Sequence, residues 1–137
     1  MKAFRQLVET NIGTGSLAGV EDLLADDVVF RSPVAFKPYP GKAITTAILN
    51  GVSRVFEDFR YTSSIEQDNR SALVFEARIG DVTVNGCDFI TTNDDGLITE
   101  FTVMARPMSG ATALMEAMAA QFPQIEADAI AFMEQQR

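Results

Sequence analysis

The chain has 137 residues, a formal net charge of −8, no histidine and a single cysteine. That length fits one domain, residues 1–137, able to bury roughly two-thirds of the surface its unfolded form exposes. The acid excess, with eleven scattered basic residues, argues against nucleic acid as a partner and against substrates carrying several negative charges. Neutral or cationic small molecules remain compatible. Without histidine, Ser-His-Asp and Cys-His catalysis and histidine-based zinc or iron centres are ruled out. Acid-base chemistry falls to Asp, Glu, Tyr, Lys or bound water. No tight acidic cluster sits on one predicted face to hold magnesium, so neither a metal nor a cofactor is expected. Cys87 alone forms no intramolecular disulfide and fits a reducing compartment. No apolar run approaches the ~20 residues of a membrane span, and the opening MKAFRQLVETN reads as an amphipathic helix rather than a leader. A cytoplasmic protein away from membranes is the expectation.

In chain order, Phe4, Leu7, Val8 and Ile12 have the spacing of one helical face. Gly13-Thr14-Gly15 ends that helix, and Ser16 is placed to cap a short second one bearing Leu17, Val20, Leu23 and Leu24. Leu24 to Asp27 reads as a helix exit and Val28 to Arg31 as a first strand, with Val28 and Phe30 on one face. The next segment, Ser32 to Gly41, holds three prolines that forbid a regular helix. It also carries Val34, Phe36 and Tyr39, so it is expected to fold over something. Tyr39 would either orient a ligand through its hydroxyl or pack over the core with its tip in water.

Ile44, Ile48, Val52, Val55 and Phe56 mark a helix from Lys42 to Phe56, in which Gly51 allows close packing. Two strands follow, Phe59 to Ile65 and Ser71 to Ile79, joined by a turn at Gln67-Asp68-Asn69. In the second, Leu73, Phe75, Ala77 and Ile79 share a face. After Pro107, Ser109 is placed to cap a helix carrying Leu114, Met115 and Met118. Phe122-Pro123 is expected to break it before a last amphipathic helix with Ile125, Ile130, Phe132 and Met133.

Between these lies the stretch Val82 to Arg106, read as a hairpin turning at Asn93-Asp94-Asp95-Gly96. Alternate residues of its first arm are Val82, Val84, Gly86, Asp88 and Ile90. A carboxylate therefore stands in the more apolar row of a strand, between Val84 and Ile90, where it is expected to be sheltered. The second arm places Phe101, Val103 and Ala105 together. Strands gathered after a helical start give an α+β class, a curved and mainly antiparallel sheet with helices on one face.

The order of these elements, the Leu24-Ala25-Asp26-Asp27-Val28 junction and the Gly86-Cys87-Asp88-Phe89 to Asp95-Gly96-Leu97-Ile98 hairpin resemble the nuclear-transport-factor-2-like superfamily, and within it the SnoaL-like branch. The resemblance covers nearly the whole chain. It implies a cystatin-like cone whose concave face is closed by helices around an apolar pocket, and dimers formed through the outer face of the sheet. The superfamily includes ketosteroid isomerases, polyketide cyclases, epoxide hydrolases, dehydratases and non-catalytic binding modules, so the fold alone does not select a function. Ketosteroid isomerases use an aspartate before a proline as base, and Ser32 stands at that position. They use a tyrosine on the first helix, matched here by Val8, and an aspartic acid on a later strand, matched by Asp88. Epoxide hydrolases of the superfamily place an arginine two residues before the aspartate, where this chain has Gly86, and a second aspartate where it has Val103. The cyclases support their aspartate with histidine, which is absent.

Asp88 is thus the catalytic candidate, and three environments compete for it. It is a carboxyl in an apolar cavity with a raised pKa, or a partner of Arg31 or Arg106, or a strand-end group bonded to backbone or water. The expected function is binding of a small, mostly apolar molecule between sheet and helices, with ligand-binding residues Phe30, Tyr39, Val84, Phe101 and Val103. Any chemistry would be cofactor-free acid-base catalysis, an isomerisation, cyclisation or dehydration, through Asp88. The alternative is a non-catalytic ligand-binding or dimeric interaction module. A homodimer is expected in either case.

Overall fold

The computed structural model describes residues 1–136. Helix α1 spans Lys2–Asn11, α2 Lys42–Val55 and α3 Met108–Gln135. The strands are β1 Leu24–Arg31, β2 Tyr39–Pro40, β3 Glu57–Gln67, β4 Arg70–Ile79, β5 Val82–Thr92 and β6 Ile98–Arg106. They form one curved, unclosed six-stranded sheet in the order β2-β1-β6-β5-β4-β3. Every pairing is antiparallel except β1 with β6. The fold is α+β, with the helices gathered on the face towards which the sheet bends.

The period-two rule sorts the central strands cleanly. In β5, Val84, Gly86, Asp88 and Ile90 are buried, while Thr83 and Phe89 are exposed. Leu73, Phe75 and Ala77 of β4 bury on the same side. These rows, with the apolar faces of the helices, make two clusters. One joins Phe4, Val8, Phe30, Ile48, Phe101 and Ile125; the other joins Val55, Phe56, Phe75, Val84 and Leu114. Helix α2 packs against α3, and α3 in turn against β5 and β6. Two glycines let this happen. A Cβ on Gly51 would stand 2.8 Å from the Ile125 side chain of α3, and one on Gly110 would stand 2.9 Å from the Thr83 carbonyl.

Three local expectations are corrected. The short second helix is only a 3₁₀ turn at Val20–Leu23, and Leu24 to Asp27 is the first half of β1. Leu24 is held by its pairing to Ile98, and the register shift between Leu24 and Val29 absorbs the outward Asp26-Asp27 pair. Pro123 does not end a helix; α3 runs through it, since Ile125 just beyond is fully buried against α2. The loss of one backbone donor at Pro123 is outweighed by burial on both sides of it. Neither Ser16 nor Ser109 caps: the 3₁₀ turn starts after Gly19 and α3 after Pro107, both without a side-chain cap.

Gly86 lies under the Phe75 ring, which a Cβ there would overlap. Gly86→Ala is expected to lower stability by about 1–3 kcal/mol in urea unfolding. Adding Phe75→Leu should restore part of that loss.

Candidate functional site

Between the two clusters lies a cavity of about 220 Å³. Its walls come from α1 (Phe4, Val8), β1 and the following loop (Phe30, Pro33, Val34, Ala35), α2 (Ile48, Leu49, Val52), the strands (Phe59, Phe75, Phe101, Val103) and α3 (Leu114, Met118, Phe122). The wall is apolar apart from four side chains, Ser32, Tyr39, Tyr61 and Asp88. Ser32 Oγ accepts the Val34 N–H at 3.1 Å, so it braces the loop. Tyr39 pairs with β1 opposite Phe30 and sets its ring 5.9 Å from that of Phe122, closing the cavity between the loop strand and α3.

Asp88 is 7% exposed and reaches the cavity from the middle of β5. Its position follows from parity alone: the residue shares the pleat face of Gly86 and Ile90. Burial pushes its carboxyl from the ordinary 3.8 up to about 7, and the Tyr61 hydroxyl draws it partly back down. Desolvation wins because no cation faces it. Arg31 lies 3.6 Å from Glu100, and Arg106 donates to Asn85 Oδ1 at 3.4 Å. Both arginines sit on exposed positions of strands whose outer residues they accompany. The pairing of Asp88 with an arginine is therefore overturned, as is the strand-end environment: the residue is central to β5 and buried.

Tyr61 went unsingled in the sequence. It is on β3, opposite Phe75 of β4, which is opposite Gly86 of β5. The backbones of β3 and β5 are thus about 10 Å apart across β4, and the tyrosine ring spans much of that gap. Its ring stands edge-on to Phe59 at 5.0 Å, and the Arg5 guanidinium lies over it at 5.6 Å from the ring centre. The ring is part-exposed, but its hydroxyl oxygen is sealed from water and lies beside the Asp88 carboxyl, the group with which it interacts. Burial first, then the neighbouring Asp88 charge, raises the phenol far above its usual 10.0, so it stays protonated. Its only sequence signal was two-residue spacing from Phe59; which side chain it would meet depended on a register two strands away.

Of the residues expected at a ligand site, Phe30, Tyr39, Asp88, Phe101 and Val103 line the cavity. Val84 does not. It is fully buried in the second cluster, because the first turn of α3 comes down on it: a Cβ on Gly110 would stand 3.3 Å from the Val84 Cα. Among the described residues, no group of three or more Cys, Asp or Glu side chains is placed to hold a metal ion. No helix there is long and apolar enough to cross a membrane.

The chain matches the SnoaL-like domain over residues 4–101 and belongs to that family. Its fold is typical of ligand-binding and isomerase-type proteins. It is similar to a steroid delta-isomerase from Pseudomonas aeruginosa at 41% identity, covering 92% of this chain and 93% of that one, with a TM-score of 0.83. A protein with a cystatin-like fold from Silicibacter pomeroyi shares 35% identity over 87% of this chain and 83% of that one, TM-score 0.78. An NTF2-like protein from Mesorhizobium loti, 15% identical over 78% and 88% with a TM-score of 0.66, shares the fold alone. No functionally curated protein matches the chain.

The Asp88 shift carries a stability signature. Folding raises this pKa, so between 3.8 and about 7 the native state binds a proton that the unfolded chain releases. Stability from this group is therefore full below the unfolded value and declines as pH rises through the folded one. The melting temperature of the wild type minus that of Asp88→Asn is expected to fall across this interval and level off above it. A flat difference would place the carboxyl in water.

Proposed function

We propose that the cavity binds a small, mostly apolar molecule and that Asp88 exchanges a proton with it, without a cofactor. The observation that carries this reading is a buried carboxyl, at about 7, in the wall of an apolar cavity. A general acid-base group works best when its pKa lies near the working pH, because both forms are then available. An ionised carboxylate facing hydrocarbon is also a stronger base than one in water. The likeness to a steroid delta-isomerase supports isomerisation chemistry on an apolar ligand. The residues present favour one shuttling acid over two separate groups, since Ser32 and Val8 stand where the isomerases carry a base and a phenol. Around the ligand we place Phe30, Tyr39, Phe101 and Val103, which line the cavity with Asp88. Isomerisation suits this set better than cyclisation or dehydration, which need a second acid or a leaving-group donor.

We place the protein in solution as a homodimer. Phe89 and Met104 are exposed large apolar side chains on the outer face of the adjacent strands β5 and β6, the kind of patch that association covers. A dimer mass by light scattering at micromolar concentration is expected, and a monomer mass would count against it.

The catalytic reading is tested with 2-decalone, a bicyclic ketone with exchangeable hydrogens beside its carbonyl. In D₂O the wild type is expected to accelerate deuterium uptake at those carbons, and kcat/KM should rise with pH to a plateau above about 7. That is the sign required of a base active when ionised. Asp88→Asn should retain binding and lose at least about a hundredfold in exchange. Equal exchange by the variant would remove Asp88 from the chemistry.

A further inference from the structure

We infer that the cavity is cut for a compact molecule of one or two fused rings, and that the Tyr39–Phe122 ring pair is the stop that excludes a third. This rests on the binding reading above and narrows its ligand by size. The first ground is capacity. An apolar cavity of about 150 Å³ holds a single benzene ring, and pockets for drug-sized molecules run from about 300 Å³ upward. The cavity here, about 220 Å³, lies between the two. It has room for a second ring and none for a third.

The second ground is the direction in which the space runs. Every strand contributes to the wall, from Tyr39 of β2 at one edge of the sheet to Tyr61 of β3 at the other. The β3 end is blind. Phe59 stacks on Phe75 there at 5.0 Å, and the Phe56 ring lies 5.5 Å from that of Phe75. Asp88 on β5 stands beside this filled end, separated from β3 only by β4. A ligand that touches the carboxyl therefore lies the other way, over β6 and β1. Two strand spacings, about 10 Å, take it from β5 to β1. Beyond β1 it meets Tyr39, whose ring lies 5.9 Å from that of Phe122.

The third ground is that neither member of the pair has a backbone free to retreat. Tyr39 stands between Pro38 and Pro40 and pairs in register with Phe30. Phe122 is held within α3, three residues before Ile125. That isoleucine is fully buried, packed so close to Gly51 of α2 that a Cβ there would stand 2.8 Å from it. Lengthening the cavity on this side means removing a ring. Tyr39 and Phe122 thus act on the far end of the ligand and set which molecules fit.

The test compares naphthalene and phenanthrene, neutral hydrocarbons of two and three rings whose fluorescence iodide quenches in water and a closed site protects. An apolar site with room for the extra ring would bind phenanthrene about tenfold more tightly. On the wild type, bound naphthalene is expected to be shielded from iodide, and phenanthrene to bind no more tightly and remain open to the quencher. Phe122→Ala should reverse the order, making phenanthrene about tenfold the tighter ligand and shielding it. Tyr39→Leu removes the other ring and is expected to move the ratio the same way, which covers the case that Phe122→Ala does not fold. The ratio of two affinities on one sample does not depend on how much of that sample is folded. Phenanthrene held about tenfold more tightly than naphthalene by the wild type would overturn the size limit and leave the binding reading intact. An unchanged ratio in both variants would overturn the role of the pair. If neither hydrocarbon binds the wild type, the reading of the cavity itself falls and this inference with it.

Discussion

A carboxyl moved from water into a wall of phenylalanine, valine and leucine side chains can remain charged only at a cost of several kcal/mol, and the arrangement of this protein follows from leaving that cost in place. The sheet delivers Asp88 to the concave side by strand parity, the helices cover it, and no cation is brought near. An arginine partner would have stabilised the native state and returned the carboxyl to an inert anion. Instead the group hovers between its two protonation states near neutrality. The compensating stability comes from elsewhere, chiefly the two apolar clusters on either side of the cavity.

The cavity exists because those clusters fail to merge. Phe4, Val8 and Phe101 pack around one, Phe56, Phe75 and Leu114 around the other, and members of both contribute to the wall. Interiors normally close such gaps. Here the gap is propped by elements that hold one another at a distance: the stiff proline segment and Tyr39 on one side, α3 on the other, and α1 against β3. A long uninterrupted α3 matters for this. Its first turn rests on β5 at Gly110, and Ile125 beyond Pro123 is buried against Gly51 of α2, so the rod is anchored at both points.

The architecture was legible in the sequence where patterns are local. Alternation in β4 and β5, the Asp95-Gly96 turn and the helical spacing of Ile44 to Phe56 each state their own structure, and Asp88 could be placed on an inner face from its neighbours two residues away. What escaped were outcomes of tertiary competition. Leu24 to Asp27 reads as a helix exit until β6 arrives as a pairing partner. Pro123 reads as a break until packing on α2 is counted. Val84 stands in the same row as Asp88, and only the landing point of α3 separates core from cavity wall. Tyr61 needed the most: two successive pairings, with the register shift in β3 beyond it, had to be known before a phenol at 61 and a carboxyl at 88 became neighbours.

The contact between Phe75 and Gly86 constrains which chemistries this scaffold can acquire. On the inner face of β5 the slots flanking Asp88 are Gly86 and Ile90, and the first is occupied by an aromatic ring from the next strand. No side chain of any kind can be installed there without evicting that ring. A guanidinium two residues ahead of the acid, the arrangement that the resemblance to epoxide hydrolases would call for, finds no room there while the Phe75 ring is in place. A cation at position 86 would therefore need a smaller side chain at position 75.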